Sequence, residues 1–502
     1  MKENEFVMAI DQGTTSSRTI LFDHQYSIKS MSQIELTQYF PNPGWVEHSP
    51  EEIWKSTIKT AKKAMRIHDI AANQVTSVGI SNQRETTILW NKNTGKPIYN
   101  AIVWQDRRTS DYCNTLKTQG LEKIITEKTG LLLDPYFSAS KIAWILENVD
   151  GAFAAAKNGQ LAFGNVDSWL IWNLTSGKNH LTDITNASRT MLFNINQQDW
   201  DYELLDIFGI PYSVLPEVKD CGYEFGVTDT SLFSSPITIS GVAGDQQAAA
   251  LGQACFTPGM LKATYGTGCF AILNTGSEIA RSAQRLLTTV AYRLNGKTSF
   301  ALEGSIFCAG ASLKWFQEKL QLIECPEDAG TLASYSDLTQ EVYMIPAFTG
   351  LGAPWWDPEA RAAFMGMTLA TGPQELARAI LESVCYQTHD LLLAMKSDWQ
   401  NNSETILRVD GGMAASDWTM QCLSDILQSQ IDRPEIIETS ALGAAWLAAS
   451  TVGVWPGQED FQRNWLCQRK FFPKMPVERR DTKVAGWSDA VARVLSNQEQ
   501  AN

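Results

Sequence analysis

One short pattern occurs in each half of the chain and constrains the fold more than any other feature. In each half a strand, a polar turn and a returning strand follow one another: Phe6 to Ile10, Asp11 to Ser17 and Thr19 to Phe22 in the first, and Leu261 to Thr264, Tyr265 to Gly268 and Cys269 to Leu273 in the second. Both turns are rich in Gly and Thr. The repeat predicts two domains, each with a Gly-Thr loop at the tip of a hairpin.

The length of the chain and the order of its elements favour two large α/β domains. The 502 residues exceed the roughly 100 to 250 residues of a usual domain. Strand patterns alternate with helix patterns, such as the capped start at Ser49 to Glu52 and the apolar-faced segment Pro373 to Met395. A run of small residues, Ala248 to Gly252, predicts a close-packed helix at a hinge. We therefore predict domains at residues 1–252 and 253–502 that face each other across a cleft.

Charge and composition argue against several classes of protein. The net charge of -14 does not favour nucleic acid or an anionic membrane as partner, because such binding rests on clusters of Lys and Arg. Nine Cys occur without a CxxC pair, so neither a disulfide framework nor a thiolate zinc site is predicted. No stretch approaches the roughly 18 to 20 apolar residues of a membrane helix, and residues 1–10 lack a signal-peptide pattern. We expect a cytoplasmic protein without membrane insertion.

The first Gly-Thr turn carries the groups of a phosphate site. Backbone N–H groups and hydroxyls of residues 13–16 could form a concave anion site, with Arg18 adding charge and Asp11 holding Mg²⁺. Asp and Gly are also ordinary turn formers, so this turn alone fits a plain hairpin equally well. The second turn at residues 266–268 and a Gly-Gly turn after the strand that ends near Asp410 favour two phosphate loops and a nucleoside site.

Asp245 is the candidate general base. Its small neighbours Ala243 and Gly244 would let a ligand come close. Phosphoryl transfer needs little from a protein beyond positioning, charge neutralisation and a base for the attacking hydroxyl. The same Asp would also suit the N-cap of a helix over the following Gln-Gln-Ala-Ala-Ala segment. The two roles are compatible, and the residues alone leave the choice open.

Arg84 and Glu85 place a cation and an anion side by side after a predicted strand. Such neighbours more often form a solvated surface ion pair than a ligand clamp. At a strand end of an α/β sheet, however, they would lie where ligands bind. The five His have no metal-ligand spacing, so a metal-hydrolase or His-base mechanism is not predicted.

A series of motifs extends from Phe6 to roughly Trp487: MAIDQGTTSSR, PGWVEHSPEEIW, SNQRETT, VWQDRRT, DPYFSASK, GVAGDQQAAALGQ, TYGTGCF, LEGS, GLGAPWW, LRVDGG and TSALGAAWLA. Through these motifs the chain resembles the glycerol kinases of the FGGY carbohydrate-kinase family. The resemblance implies two ribonuclease-H-like domains of the actin and hexokinase type with a central cleft. The first domain would carry the acceptor site and one phosphate loop, and the second the other loop and the adenosine site. It also implies ATP-dependent phosphorylation of glycerol to sn-glycerol 3-phosphate, with ATP and Mg²⁺ as cofactors and a homodimer or homotetramer as the assembly.

The resemblance assigns roles to individual residues. The glycerol positions match Arg84, Glu85, Trp104, Tyr136, Asp245, Gln246 and Phe270, with Asp245 also the base and Trp104 and Phe270 as walls. The nucleotide positions match Thr14, Thr15, Ser16, Arg18, Thr267, Gly310, Lys314, Gly411 and Ser416, and the magnesium region matches Asp11. Lys314 and Ser416 stand where many members have Gln and Asn.

Regulatory features of the family are expected to be absent. Enterobacterial members bind fructose 1,6-bisphosphate through a Gly-rich loop with an Arg, whereas residues 234–239 here read Ser-Ser-Pro-Ile-Thr-Ile. Another branch is phosphorylated on a His in the same region, and no His lies between His180 and His389. Residues 473–481 also depart from the segment that docks a sugar-transport regulator.

Two other functions fit the sequence. One is a kinase of another sugar or ketose in the same family, which would need a roomier pocket around Arg84, Glu85, Trp104 and Tyr136. The other is a nucleotide-gated binding protein of the actin-like superfamily that hydrolyses ATP slowly. The complete acceptor set and the candidate base argue against the second.

Overall fold

A computed structural model of the chain describes residues 5–399 and 405–496. Its strands, in chain order, are β1 Phe6–Gln12, β2 Ser16–Phe22, β3 Ile28–Glu35, β4 Glu47–His48, β5 Val75–Asn82, β6 Ile88–Asn91, β7 Ala101–Ile102, β8 Leu161–Gly164, β9 Leu181–Asp183, β10 Phe193–Asn194, β11 Asp199–Trp200 and β12 Glu217–Lys219. The strands that follow are β13 Gly222–Val227, β14 Thr238–Gly244, β15 Leu261–Tyr265, β16 Cys269–Gly276, β17 Leu287–Leu294, β18 Lys297–Ile306, β19 Tyr343–Ile345, β20 Ala363–Met365, β21 Leu407–Asp410, β22 Ile431–Pro434 and β23 Cys467–Phe471.

The helices alternate with these strands. They are α1 Pro50–Ile67, α2 Ser110–Thr118, α3 Glu122–Thr129, α4 Ser138–Asn148, α5 Ala152–Lys157, α6 Val166–Leu174, α7 Ile184–Ala187, α8 Tyr202–Phe208, α9 Thr230–Phe233, α10 Asp245–Gly252, α11 Gly310–Glu318, α12 Asp328–Ser334, α13 Pro373–Asp398, α14 Asp417–Leu427, α15 Thr439–Thr451, α16 Gln458–Arg463 and α17 Val477–Ala492. Short 3₁₀ turns lie at Ala72–Gln74, Tyr212–Val214 and Gly412–Ala415.

Two large mixed sheets form the frame. The first has the strand order β13-β14-β5-β1-β2-β3, and the second has the order β17-β18-β16-β15-β21-β22-β23. In the first sheet β1, β5 and β14 are parallel neighbours, while β2, β3 and β13 run antiparallel to the strands beside them. In the second sheet β15, β21 and β22 are parallel neighbours, and the remaining contacts are antiparallel. The second half therefore repeats the topology of the first and adds β17 at one edge.

The first hairpin loop is shorter than predicted. We predicted a turn over Asp11 to Ser17, but β1 continues to Gln12 and β2 begins at Ser16. The reason is that the antiparallel ladder persists to the tip, where Asp11 pairs with Arg18 and Gln12 with Ser17. Residues 13–15 alone form the loop, which Gly13 N–H closes by donating to the Ser16 carbonyl at 2.9 Å.

The predicted helix starts are confirmed. The Ser49 hydroxyl accepts a hydrogen bond from Glu52 N–H at 3.3 Å, and Pro50 is the first residue of α1. This is the N-cap arrangement that the sequence of residues 49–52 predicts. The predicted long helix runs from Pro373 to Asp398, and the small-residue segment lies within α10.

Helix α15 from the second half covers the first sheet. It packs against the backbones of β5 and β14, and the Ser240 hydroxyl donates to the Ala448 carbonyl at 2.9 Å. It also crosses α10 so closely that a Cβ atom on Gly443 would lie 1.8 Å from the Ala248 carbonyl oxygen. A Cβ atom on Gly79 would lie 2.0 Å from the Ala444 oxygen. The two halves are thus joined through direct backbone contact, which the small residues permit.

None of the helices in residues 5–399 and 405–496 is both long and apolar enough to cross a bilayer. All nine Cys lie in these ranges, and all are free thiols.

Candidate active site

The ends of three neighbouring parallel strands bring the predicted acceptor residues together. Gln12 at the end of β1 pairs with Asn82 at the end of β5, which in turn pairs with Gly244 at the end of β14. Ligands of open α/β sheets bind at the carboxyl ends of parallel strands. Arg84 and Glu85 follow β5, and Asp245 follows β14, so sheet topology places their side chains at one edge.

Asp245 is the first residue of α10, and Gly244 takes the N-cap position. The Asp245 carboxylate accepts a hydrogen bond from Gln246 N–H at 2.7 Å and lies 3.3 Å from Arg84 Nε. Its side chain keeps 32% of its surface exposed. Burial among protein atoms raises the pKa of Asp245 above its usual value, although Arg84, Gln246 N–H and Lys262 oppose this. The result is a carboxylate that is open to a ligand and more basic than a free Asp.

Arg84 and Glu85 do not form a surface ion pair. Their side chains are each only 2% exposed, and Arg84 Nε lies 3.8 Å from Glu85 Oε1. The interpretation as a solvated pair is therefore wrong, because the turn after β5 points inward under the second half of the chain. Burial is also the main reason that the pKa of Glu85 is raised.

Glu303 and Arg189 complete a buried ring of charges with these two residues. Arg84 Nη1 and Nη2 donate to the two carboxylate oxygens of Glu303 at 2.6 and 3.0 Å. Arg189 donates from Nη2 to Glu303 at 2.9 Å and from Nε to Glu85 at 2.6 Å. Burial alone would raise the pKa of Glu303, but Arg189 and Arg84 outweigh it and hold that pKa at about 2. Glu303 therefore stays ionised.

Aromatic side chains from both halves line the same region. The Trp104 ring packs edge-on against Tyr136, with ring centroids 5.5 Å apart, and against Phe270 at 6.3 Å. Trp104 Nε1 also donates to the Thr14 hydroxyl at 2.8 Å, which joins this wall to the first loop. Gln246 accepts from Lys262 Nζ at 2.8 Å. Rings beside paired polar groups suit a small ligand that has both C–H and O–H surfaces.

The first loop presents hydroxyls beside an ion pair that links the halves. Thr15 is exposed and Thr14 is partly buried, whereas Ser16 is already in β2. Arg18 forms an ion pair with Glu438, the residue before α15. Burial, opposed by Arg18, raises the pKa of Asp11 to about 6.

The second loop lies against the predicted nucleotide residues. Thr267 is exposed, and its carbonyl accepts backbone hydrogen bonds from Ala309 and Ala311. Gly310 N–H donates to the Gly266 carbonyl at 2.9 Å, and a Cβ atom on Gly310 would lie 2.6 Å from that oxygen. Position 310 therefore has no room for a side chain, and the start of α11 packs on the loop through its backbone.

The remaining predicted nucleotide residues lie around this loop at different depths. Gly411 has φ +88°, a backbone conformation that favours glycine. A Cβ atom there would also lie 2.4 Å from the Tyr265 carbonyl oxygen, so the position has no room for a side chain. The Ser416 hydroxyl accepts from Thr419 N–H at 3.2 Å as the N-cap of α14. Lys314 lies on α11 with its side chain 70% exposed, 3.6 Å from Glu318. Gly411 is thus packed against the loop, while Lys314 reaches into solvent.

The arrangement combines a basic carboxylate and a clamp of charges with Trp104, which contacts the first loop at Thr14 and Phe270 on the strand after the second loop. Such a set can orient a hydroxyl compound, take its proton and hold an anionic co-substrate. Within the described residues no group of three or more His, Cys, Asp or Glu side chains could hold a metal ion by itself.

Comparison with known proteins identifies the family. Residues 6–252 match the N-terminal domain of the FGGY family of carbohydrate kinases, and residues 261–452 match its C-terminal domain. A glycerol kinase of Sinorhizobium fredii is 60% identical over 491 residues, which are 98% of this chain and 99% of the relative. The chain belongs to the FGGY family of carbohydrate kinases. A glycerol kinase of Rhizobium meliloti is 58% identical to this FGGY kinase over 491 residues, again 98% of the chain and 99% of the relative.

Solved structures support the same assignment. The glycerol kinase of Plasmodium falciparum with ADP has a TM-score of 0.93 and 36% identity, and the match covers 98% of this FGGY kinase and 99% of that chain. A xylulose kinase of Lactobacillus acidophilus shares the fold with a TM-score of 0.87 at 19% identity, over 99% of this chain and 100% of that one. The predicted two-domain α/β fold of the actin and hexokinase type is confirmed.

Two residues of the site in this FGGY kinase were not predicted from the sequence. Glu303 belongs to the LEGS segment, and its signal was a carboxylate in the mostly apolar strand segment from Phe300 to Ile306. Arg189 follows α7 and has no such signal, because nothing in its neighbours distinguishes it from a surface Arg. Both are buried, at 1% exposure for Glu303 and 0% for Arg189.

Proposed function

We propose that this kinase transfers the γ-phosphoryl group of MgATP to a terminal hydroxyl of glycerol and yields sn-glycerol 3-phosphate. The observation that carries the proposal is the meeting of Arg84, Glu85 and Asp245 beside an aromatic wall, at the ends of neighbouring parallel strands. The names of the 60% and 58% identical relatives support glycerol as the acceptor.

The acceptor residues suit a small polyol. Arg84, Glu85, Asp245 and Gln246 would replace the water around the hydroxyl groups, and Tyr136 would close the same space. The rings of Trp104 and Phe270 would contact the C–H groups and exclude longer sugars. Because every polar group of such a pocket needs a partner, an acceptor that lacks one hydroxyl would bind poorly.

Asp245 would act as the general base. Its carboxylate would take the proton from the attacking hydroxyl while the oxygen forms its bond to the γ-phosphorus. The bond from that phosphorus to the bridging oxygen of ADP breaks, and ADP leaves. The raised pKa of Asp245 supports this role, because a base works best when its pKa is near the working pH.

The two loops would hold the nucleotide. Thr14, Thr15, Ser16 and Arg18 in the first half and Thr267 in the second would face the phosphates, and Gly310, Lys314, Gly411 and Ser416 would border the adenosine. Closure of the halves would keep water, the competing nucleophile, from the γ-phosphate.

Asp11 fits a role in Mg²⁺ binding. Burial raises its pKa to about 6, and its nearest cation, Arg18, is already paired with Glu438. An incompletely neutralised carboxylate suits a cation that is shared with phosphate oxygens and water, as Mg²⁺ usually is. When bound with ATP, Mg²⁺ would supply neutralisation of the charge on the transferring group.

We further propose that the domains divide at residues 1–252 and 253–502. The proposal also includes a homodimer or homotetramer and a cytoplasmic location. No partner is proposed beyond glycerol, ATP and further copies of the chain.

A panel of acceptors tests the substrate. With MgATP, glycerol is expected to stimulate ADP release well above the rates with xylulose, ribulose or erythritol, because the larger sugars would meet the Trp104 and Phe270 rings. The measurement is coupled ADP release with each acceptor, and reactions without acceptor give the background. Equal or faster release with another acceptor would contradict glycerol, and a rate that is independent of any acceptor would favour a slow ATPase.

Replacing Trp104 by Phe tests the link between the acceptor wall and the first loop. The change keeps an aromatic ring but removes the 2.8 Å hydrogen bond to Thr14. We expect kcat/KM to fall about 2- to 10-fold, the effect of one lost neutral hydrogen bond. Trp200→Phe is the matched control, because its indole donates to the Pro216 carbonyl at 2.9 Å in another part of the molecule. If Trp104→Phe and Trp200→Phe have the same kcat/KM, the hydrogen bond from Trp104 to Thr14 does not contribute to catalysis.

A further inference from the structure

The ring of buried charges joins three separate parts of the chain. Arg84 and Glu85 follow β5 in the first sheet, Arg189 follows α7, and Glu303 lies on β18 in the second sheet. The side chains of all four are no more than 2% exposed. Glu303 alone among them comes from the second half.

Glu303 fixes Arg84 in position and direction. Its two oxygens accept from Nη1 and Nη2 of Arg84, a fork-to-fork geometry that allows one orientation of the guanidinium. Arg84 Nη1 also donates to Gln247 at 3.2 Å. These contacts leave Arg84 Nε facing Asp245 at 3.3 Å.

Glu303 also acts on Glu85 through Arg189. Glu303 Oε1 accepts from Arg189 Nη2 at 2.9 Å, and Arg189 Nε donates to Glu85 at 2.6 Å. The Arg189 guanidinium lies over the Phe137 ring at 5.2 Å, which limits its other orientations. One carboxylate from the second sheet therefore holds both members of the Arg84–Glu85 pair.

Stability alone does not account for such a ring. Buried ion pairs are often no more stabilising than apolar side chains of the same volume, because the charges lose their hydration. A closed ring beside a ligand site fits a role in preorganisation.

We propose that Glu303 is a positioning residue of the acceptor site, which holds Arg84 directly and Glu85 through Arg189 across the boundary between the two sheets. The proposal rests on the proposed function, because it concerns the same acceptor site. Glu303 does not contact the acceptor itself in this scheme.

The position of Glu303 has a consequence for pH dependence. Arg84 lies 3.3 Å from Asp245, and Lys262, Glu303 and Asp11 are further charged groups close enough to interact with it electrostatically. Arg84 and Lys262 lower the pKa of Asp245, whereas Glu303 raises it. Activity falls as pH decreases through this pKa, because a protonated base cannot accept the hydroxyl proton. Loss of the Glu303 charge should therefore move the acid limb of the pH profile to lower pH.

Glu303→Gln tests the proposal. We expect the KM for glycerol to rise about 10- to 100-fold, as for a lost charge-assisted hydrogen bond, with the KM for ATP nearly unchanged. The acid limb of kcat/KM should shift to lower pH. Glu303→Asp keeps the charge but shortens the reach, so its acid limb should stay near that of the wild type while the KM for glycerol rises. If Glu303→Gln does not fold, the KM of Glu303→Asp for glycerol tests the proposal instead.

Glu382→Gln is the matched control. Glu382 is buried on α13 and accepts from Lys483 at 2.9 and 3.2 Å, so the variant loses a buried ion pair of similar kind. It should lower thermal stability and leave both KM values and the pH profile unchanged.

The outcomes separate the two proposals. An unchanged KM for glycerol and an unmoved acid limb in Glu303→Gln would overturn the positioning role while the wild-type acceptor assay still holds. Equal losses for both substrates with a lower melting temperature would also overturn it, since they indicate a merely structural role. Absence of glycerol-dependent turnover in the wild type would instead refute the proposed function.

Discussion

Asp245→Asn is expected to lower kcat about 10²- to 10⁴-fold, the usual effect of removing a general base. An amide keeps the shape of the carboxylate and can still accept from Gln246 N–H, but it cannot take a proton at working pH. Glycerol affinity should remain close to that of the wild type. Steady-state rates measure the first effect, and calorimetric titration with glycerol measures the second.

Asp201→Asn is the control for the loss of an acidic side chain. Asp201 caps α8, accepts from Leu204 N–H at 3.1 Å and pairs with Lys128 at 2.8 Å, away from the cleft. Its variant should turn over at nearly the wild-type rate. If Asp245→Asn did the same, Asp245 would not be the base.

Gly443→Ala is expected to reduce the free energy of unfolding by about 1–3 kcal/mol, the range for a group forced into a packed interior. Its Cβ atom would lie 1.8 Å from the Ala248 carbonyl oxygen, which belongs to backbone and cannot rotate away. Helix α10 must shift instead, and Asp245 is its first residue. We therefore expect a lower melting temperature together with a lower kcat.

Gly457→Ala provides the comparison for this change. A Cβ atom on Gly457 would meet nothing within 4 Å, and its φ of -68° suits alanine. Gly457 is the N-cap of α16, where alanine is less favourable than glycine, so we expect a small loss of stability and turnover close to that of the wild type. If Gly443→Ala and Gly457→Ala have the same melting temperature within error, α10 and α15 can move apart without a loss of stability.

Local patterns in the sequence predicted much of the frame. Hairpins, the cap at Ser49 and the small residues of α10 follow from spacing and residue type, which are properties of neighbours along the chain. The burial of Arg84 could not be predicted in this way. It depends on Glu303 in the other sheet, and no local pattern encodes a partner so distant in sequence.

The aromatic wall shows the same limit. Trp104, Tyr136 and Phe270 were predicted through resemblance, because their spacing along the chain carries no sign that the rings meet. Phe270 lies on β16, so it contacts Trp104 only when the second sheet is packed against the first half of the chain. The Asp11 loop was predicted too long for a different reason, since a strand ladder can persist through polar residues that also suit a turn.

Helix α15 has a consequence for how such kinases diversify. Because this helix lies in the second half yet covers β5 and β14 of the first, an exchange of halves between two relatives would place a foreign helix on a native sheet. A Cβ atom on Gly79 or Gly241 would overlap the backbone of α15. A chimera of two kinases joined between the halves would therefore fold well only if both parents carry small residues at these contacts.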